Sequence, residues 1–125
     1  MTGHVMYVDD EELLCRAFAL SLRRTGVEIV TFTDAAAALV HIRADLPGVI
    51  FCDHRMPRMS AQQLVAALPA PVPFYVVSGD PAAAAWAEGD PRVLGVLGKP
   101  FRSEEVRRIV ARHAAGPIGG AGPPT

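Results

Sequence analysis

Apolar and polar positions alternate between two rhythms along the chain. Short runs, apolar nearly throughout and partly β-branched or aromatic, recur at residues 4–8, 28–32, 49–52, 74–77 and 93–97. They read as strands, and strands that are apolar on both faces belong to a sheet covered on both sides. Between them lie helical stretches. Residues 11–25 put Leu14, Ala17, Phe18, Ser21 and Leu22 on one stripe, with Gly26 as a stop. Thr33 or Asp34 can cap a helix over 35–43. Ser60 can cap a third, with Ala61, Leu64, Val65 and Leu68 on its inner face. Pro81 suits the first turn of a helix over 82–88. Ser103 can cap a fifth, where Val106, Ile109, Val110 and His113 share a face, and Glu104 and Glu105 complement the dipole in its first turn. Pro47-Gly48 and the prolines at 69, 71 and 73 mark stiff connections. Strands alternating one for one with helices predict an α/β, doubly wound, five-stranded parallel sheet in a single domain.

Composition changes this picture little. The chain has 125 residues, room for one ordinary domain, expected over residues 1–115. Residues 116–125 are mostly Gly, Pro and Ala, and are expected to form a flexible tail or linker. A formal charge of −1 gives no global push toward nucleic acid or an acidic membrane surface. No apolar run approaches the ~18 residues of a membrane span, and prolines interrupt the best candidate, 66–77. The first residues lack the basic and apolar regions of a signal peptide. Cys15 and Cys52 both fall in apolar patterns and are expected as buried free thiols of a reducing compartment. No Cys/His cluster has the spacing of a zinc site. His4, His41 and His113 are expected at the surface or its boundary.

The chemistry gathers where parallel strands end, because ligands of such sheets bind beyond the carboxyl ends. The first strand runs into Asp9-Asp10-Glu11-Glu12, the third into Asp53, the fourth into Ser78-Gly79-Asp80, and the fifth into Gly98-Lys99-Pro100. Three carboxylates on one edge repel unless a cation joins them, and oxygen ligands with positions left for water suit Mg²⁺. A lysine and a hydroxyl beside them could hold an anion. Carboxylate, divalent ion, lysine and hydroxyl are together the parts for phosphoryl transfer onto Asp53.

These residues carry a resemblance. Val8-Asp9-Asp10-Glu11, Asp53-x-x-Met56-Pro57, Ser78-Gly79 and Lys99-Pro100-Phe101, in this order and spacing, resemble the receiver domain of two-component response regulators. The resemblance covers residues 4 to about 114. It implies a flavodoxin-like sheet of order 2-1-3-4-5. It also implies that Asp53 is the phosphoacceptor, that Asp10 binds Mg²⁺ directly and Asp9 through water, and that the backbone carbonyl of Arg55 completes the metal's protein ligands. Ser78 would bond a phosphoryl oxygen, Lys99 would pair with the same group, and the Lys99-Pro100 bond is expected cis. The donor would be a phosphohistidine on a histidine kinase or histidine phosphotransfer protein. A homodimer or an output domain would be further partners, the setting cytoplasmic, and the only catalysis that of the domain's own phosphorylation and dephosphorylation. The alternative is a pseudo-receiver, an interaction module that keeps the fold and works without phosphate. A phosphohydrolase with an aspartate nucleophile would want Asp-x-Asp after the first strand, which this chain lacks.

Several positions depart from the family pattern. Val96 stands where an aromatic switch residue is usual, and Trp86 is a candidate to compensate. Arg58, Ser60 and Ala61 replace the usual Gly, Asp and Gly after Met56-Pro57. Arg55 and Asp80, two residues beyond Asp53 and Ser78, could meet as an ion pair across the mouth of the site or stand there as two solvated charges. The basic face of Arg107, Arg108 and Arg112 is expected to be solvated.

Overall fold

Each apolar run becomes a strand whose alternate side chains feed opposite helical layers. In the computed structural model, which describes residues 3–113, the order is β1 (Val5–Val8), α1 (Glu12–Ser21), β2 (Ile29–Phe32), α2 (Ala35–Ala44), β3 (Val49–Asp53), α3 (Ala61–Ala66), β4 (Phe74–Ser78), α4 (Pro81–Glu88), β5 (Val93–Gly98) and α5 (Ser103–Arg112). The strands form one parallel sheet in the order β2-β1-β3-β4-β5. Val5 and Tyr7 point with Val49, Phe51, Tyr75 and Val77 toward α1 and α5, where Phe18, Leu22, Val106 and Val110 meet them. Met6 and Val8 point the other way, with Ile50, Cys52, Phe74 and Val76, toward Ala38 and Ile42 of α2, Leu64 of α3 and Ala87 of α4. The expected two-sided sheet is thus the observed one. Both cysteines are buried and free.

The helix ends differ from the sequence expectation in instructive ways. The first helix stops at Ser21 rather than reaching Thr25. The Thr25 hydroxyl donates to the Leu22 carbonyl at 2.6 Å, and Arg24 takes a left-handed φ of 72°, so the chain has already turned before Gly26. Asp34 rather than Thr33 caps α2, accepting from the Ala37 N–H. Ser60 caps α3 as expected and forms a reciprocal capping box with Gln63. That helix ends at Ala66, so Leu68 lies beyond it and packs on the core from the loop. Ser103 does not cap α5 but is its first residue; its hydroxyl donates instead to Ser21 at 3.2 Å, tying α5 to α1. His113 follows the last turn and meets the Tyr75 hydroxyl at 2.6 Å. His4, expected near the surface, is only 3% exposed, because the end of α2 covers it. The expected tail at 116–125 lies outside the described residues. Among the described residues no helix is long and apolar enough to cross a membrane.

Candidate functional site

Parallel register delivers the strand ends to one level. Val8 stands beside Cys52, Asp53 beside Val77, and Ser78 beside Gly98. The residues that follow these strands therefore share one edge, where a cleft of about 310 Å³ is lined by Asp53, His54, Arg55, Ser78, Gly79, Asp80 and Lys99. A larger hollow of about 580 Å³ opens at the other end of the sheet, around Val72, Pro73, Pro91 and Leu94. Its lining is apolar apart from Arg92, so the chemistry lies with the smaller cleft.

Asp9, Asp10 and Asp53 each bring a carboxylate oxygen to within 4.8 Å of the others. Asp9 is fully buried, Asp53 nearly so, and Asp10 is exposed. Asp9 is fixed by the Tyr7 hydroxyl, which donates to Oδ2 at 2.8 Å, and by the Glu11 N–H, which donates to Oδ1 at 3.0 Å. Burial and the bond to Asp9 push the Tyr7 phenol far up, so it remains a donor at any working pH. Lys99 spans the cluster: its Nζ lies 2.6 Å from Asp53 Oδ1, 3.1 Å from Asp9 Oδ2 and 3.8 Å from Glu11 Oε1. The Lys99-Pro100 bond is cis, as expected.

The electrostatics leave the cluster short of positive charge. Burial raises the Asp53 carboxyl above its ordinary range; the bond from Lys99 pulls it down, and the charges of Asp9 and Asp10 push it up again, for a net rise. Burial works against the Lys99 charge as well, but its bonds to Asp53 and Asp9 outweigh this and hold it an ammonium. One ammonium cannot neutralise three carboxylates. A compact set of hard oxygen donors with unspent negative charge fits a divalent cation such as Mg²⁺.

The opposite wall carries the hydroxyl. Ser78 Oγ accepts the Asp80 N–H at 2.8 Å, and the Lys99 N–H donates to the Ser78 carbonyl at 3.3 Å. A Cβ on Gly79 would meet the Lys99 carbonyl oxygen at 3.4 Å, an ordinary contact that shows how closely the ends of β4 and β5 run. Across the mouth, the Arg55 guanidinium meets Asp80 Oδ2 at 2.9 Å, so the two form an ion pair rather than standing as separate solvated charges. Asp80 Oδ1 also accepts the Ala82 N–H and caps α4; that bond first, and Arg55 after it, hold its carboxyl below the usual range. Arg55 thus lines the cleft while its side chain turns to Asp80.

One contact had no signature in the sequence. The Trp86 indole N–H donates to His54 Nδ1 at 3.1 Å, with the rings roughly parallel. It joins the residue after Asp53 to the face of α4. The only hint was a large aromatic with a polar tip on an otherwise alanine-rich helix. Arg58, in the position usually held by Gly, adopts a left-handed φ of 69° and pairs with the α2 cap Asp34 at 3.2 Å.

A family model described as the response regulator receiver domain matches residues 5–111. The chain is 29% identical over 117 residues to the protein PilG of Pseudomonas aeruginosa, covering 87% of this chain and 85% of that one. It is 31% identical to the C4-dicarboxylate transport transcriptional regulatory protein DctD of Rhizobium meliloti, over 87% of this chain but only 27% of DctD. Among solved structures, the signal receiver domain of the putative response regulator NarL from Mycobacterium tuberculosis superposes with a TM-score of 0.77 at 29% identity, covering 89% of this chain and 94% of that one.

Proposed function

The chain belongs to the response regulator receiver domain family of two-component signal transduction, and on that premise we propose that it accepts a phosphoryl group on Asp53 and switches conformation in response. The observation that carries this reading is the Lys99 ammonium held 2.6 Å from Asp53 Oδ1 inside a carboxylate cluster, at the floor of an open cleft. Lys99 engages one oxygen of Asp53, and among the described residues no other side chain bonds that carboxylate. The free oxygen is the nucleophile. It attacks the phosphorus of a phosphohistidine on a histidine kinase or phosphotransfer protein; the P–N bond breaks, and the imidazole nitrogen leaves with the electron pair and is protonated. The product is an acyl phosphate on Asp53. Lys99 then pairs with the phosphoryl oxygens it faces, and Ser78, across the cleft, donates its hydroxyl to another. Asp9, Asp10, Asp53 and the Arg55 carbonyl are the groups that would hold Mg²⁺, which when bound neutralises charge on the phosphoryl oxygens during transfer. The group adds roughly −1.5 to −2 charge at a place already crowded with carboxylates, enough to bias a two-state element.

The domain reading spans residues 1–115, with the output supplied by a partner, a second copy or a further domain. The test is intact mass after incubation with acetyl phosphate or phosphoramidate, with Mg²⁺ and with EDTA, beside Asp53→Ala. A Mg²⁺-dependent gain of ~80 Da, one phosphoryl group, that disappears in the variant is the expected result. No gain from small donors or from a phosphorylated kinase would overturn the reading in favour of an interaction module that works without phosphate.

A further inference from the structure

A second cluster of ligand-forming side chains lies away from the cleft, around the start of β1 and the end of α2. His4 immediately precedes β1, while His41 and Asp45 stand four apart in the last turn and C-cap of α2. The Nε2 atoms of His4 and His41 are 3.0 Å apart, with the ring planes at 89°. Asp45 Oδ2 lies 3.8 Å from His4 Nδ1. One ligating atom from each of the three falls within 4.8 Å of the others.

His4 is almost wholly buried, where an apolar side chain would cost nothing to desolvate, and its polar side-chain partners among the described residues are His41 and Asp45. Two imidazole nitrogens bound side by side to one ion at 2.0–2.1 Å stand about 2.9–3.4 Å apart, and the observed separation falls in that range. Asp45, the extended C-cap of α2, follows the turn that carries His41, and its N–H donates to the His41 carbonyl at 2.9 Å, which keeps the two residues together. The negative end of the α2 dipole points at the same place. The backbone of His4 is also held: Gly48 N–H donates to its carbonyl at 2.8 Å, and Gly3, at a φ of +90°, passes so close that a Cβ would meet Gly48 N at 2.4 Å.

We propose that His4, His41 and Asp45 form a binding site for one divalent transition-metal ion of the zinc class, with one ring nitrogen of each histidine and the Asp45 carboxylate as ligands and water in the remaining position. Its chemistry separates it from the carboxylate cluster at the cleft. Imidazole suits Zn²⁺, Ni²⁺ and Cu²⁺, while carboxylate oxygen suits Mg²⁺. An ion here would clamp the start of β1 to the end of α2. No spaced motif marks this site in the sequence, because His4 and His41 are brought together only by the packing of the end of α2 against the start of β1.

The test uses the whole chain without an affinity tag, with Mg²⁺ in excess to hold the carboxylate cluster. ZnCl₂ is titrated by calorimetry, and melting is followed with and without Zn²⁺. One Zn²⁺ per chain and a rise in melting temperature are expected. In His41→Ala the affinity should fall at least about tenfold and the rise should vanish; Asp45→Asn, at an exposed position, should weaken binding without lowering the melting temperature in EDTA. No binding below millimolar Zn²⁺, or wild-type binding in either variant, would overturn the proposal and leave a pair of imidazoles sharing a proton.

Discussion

Replacing Arg55 by alanine should open the mouth of the cleft and shorten the life of the phosphoryl group on Asp53. The Arg55 guanidinium and the Asp80 carboxylate meet at 2.9 Å over the entrance, with side-chain exposures of 80% and 34%. A pair so exposed is worth about 0.2–1 kcal/mol. Arg55 and Asp80 both line the cleft; on the reading that water attacking the phosphorus enters between them, the cost of parting the pair adds to the hydrolysis barrier. With RT at about 0.59 kcal/mol, that cost lengthens the lifetime about 1.4- to 5-fold. Arg55→Ala leaves the backbone carbonyl, the group offered to the metal, in place, and should change folding stability by no more than about 0.5 kcal/mol. Asp80→Ala would be the wrong partner substitution, since it also removes the α4 cap; Asp80→Asn keeps a capping oxygen and removes the charge. The assay is phosphorylation by phosphoramidate, rapid removal of the donor, and intact mass against time in Mg²⁺. Arg55→Ala, Asp80→Asn and the double variant should share one shortened lifetime, and salt should bring the wild type toward it. An unchanged lifetime in Arg55→Ala, or a further shortening in the double variant, would refute the idea that this pair guards the site.

Asp53→Asn should stabilise the metal-free protein at pH 7. The folded-state pKa of Asp53 is raised, so the folded form holds the proton more tightly, and ionised Asp53 costs stability above that pKa and less as pH falls through it. The gain in melting temperature should therefore shrink toward pH ~4 and in saturating Mg²⁺, and a gain independent of both would deny the charge crowding. Phe18→Ala should cost about 3–5 kcal/mol in urea denaturation, because the ring is fully buried, stacks on Tyr7 at 4.3 Å and packs against Phe51; a loss under about 1 kcal/mol would mean the α1 layer is not seated as described. Arg58→Gly should be more stable than Arg58→Ala by about 1 kcal/mol, since only glycine takes the left-handed φ of 69° freely; the reverse order would reject that backbone conformation.

The site was legible because its residues are the ends of strands. An apolar run announces a strand, the first polar residue after it marks the carboxyl end, and parallel topology carries Asp9, Asp53, Ser78 and Lys99 to one edge with no further information. Contacts between side chains distant in sequence were not legible. The Ser103 hydroxyl had a local role available as a helix cap and took a distant one at Ser21 instead. His4 sits in a polar, glycine-containing start that looks solvent-facing, yet α2 folds over it. The premature end of α1 falls between these cases: Thr25 advertised a turn, but only the left-handed Arg24 shows where the chain leaves the helical path.

The departure at Val96 gains meaning from what surrounds it. A valine on β5 cannot rotate between two states as a ring can, and Val96 packs half-buried against the same core as Trp86. The two residues after Asp53 both reach α4: His54 through the Trp86 indole at 3.1 Å, and Arg55 through Asp80, the cap of that helix, at 2.9 Å. On the proposed function, a charge added at Asp53 that drew Ser78 toward it would act on the segment that holds both links. A neutral hydrogen bond contributes about 0.5–1.5 kcal/mol and the exposed pair at most about 1. The two together give a barrier to releasing α4 of a size that a few kcal/mol of new phosphoryl contacts can overcome. The aromatic link between acceptor and helix is thus expected on α4 rather than on β5. Trp86 is the only tryptophan, so its fluorescence reports on the link directly. Phosphorylation should shift its emission in the wild type and leave it unmoved in Asp53→Ala. His54→Phe keeps a ring for packing and removes the acceptor nitrogen; it should shift the emission before any phosphate is added and blunt the further change. An emission indifferent to both phosphate and His54→Phe would place the switch elsewhere in the fold.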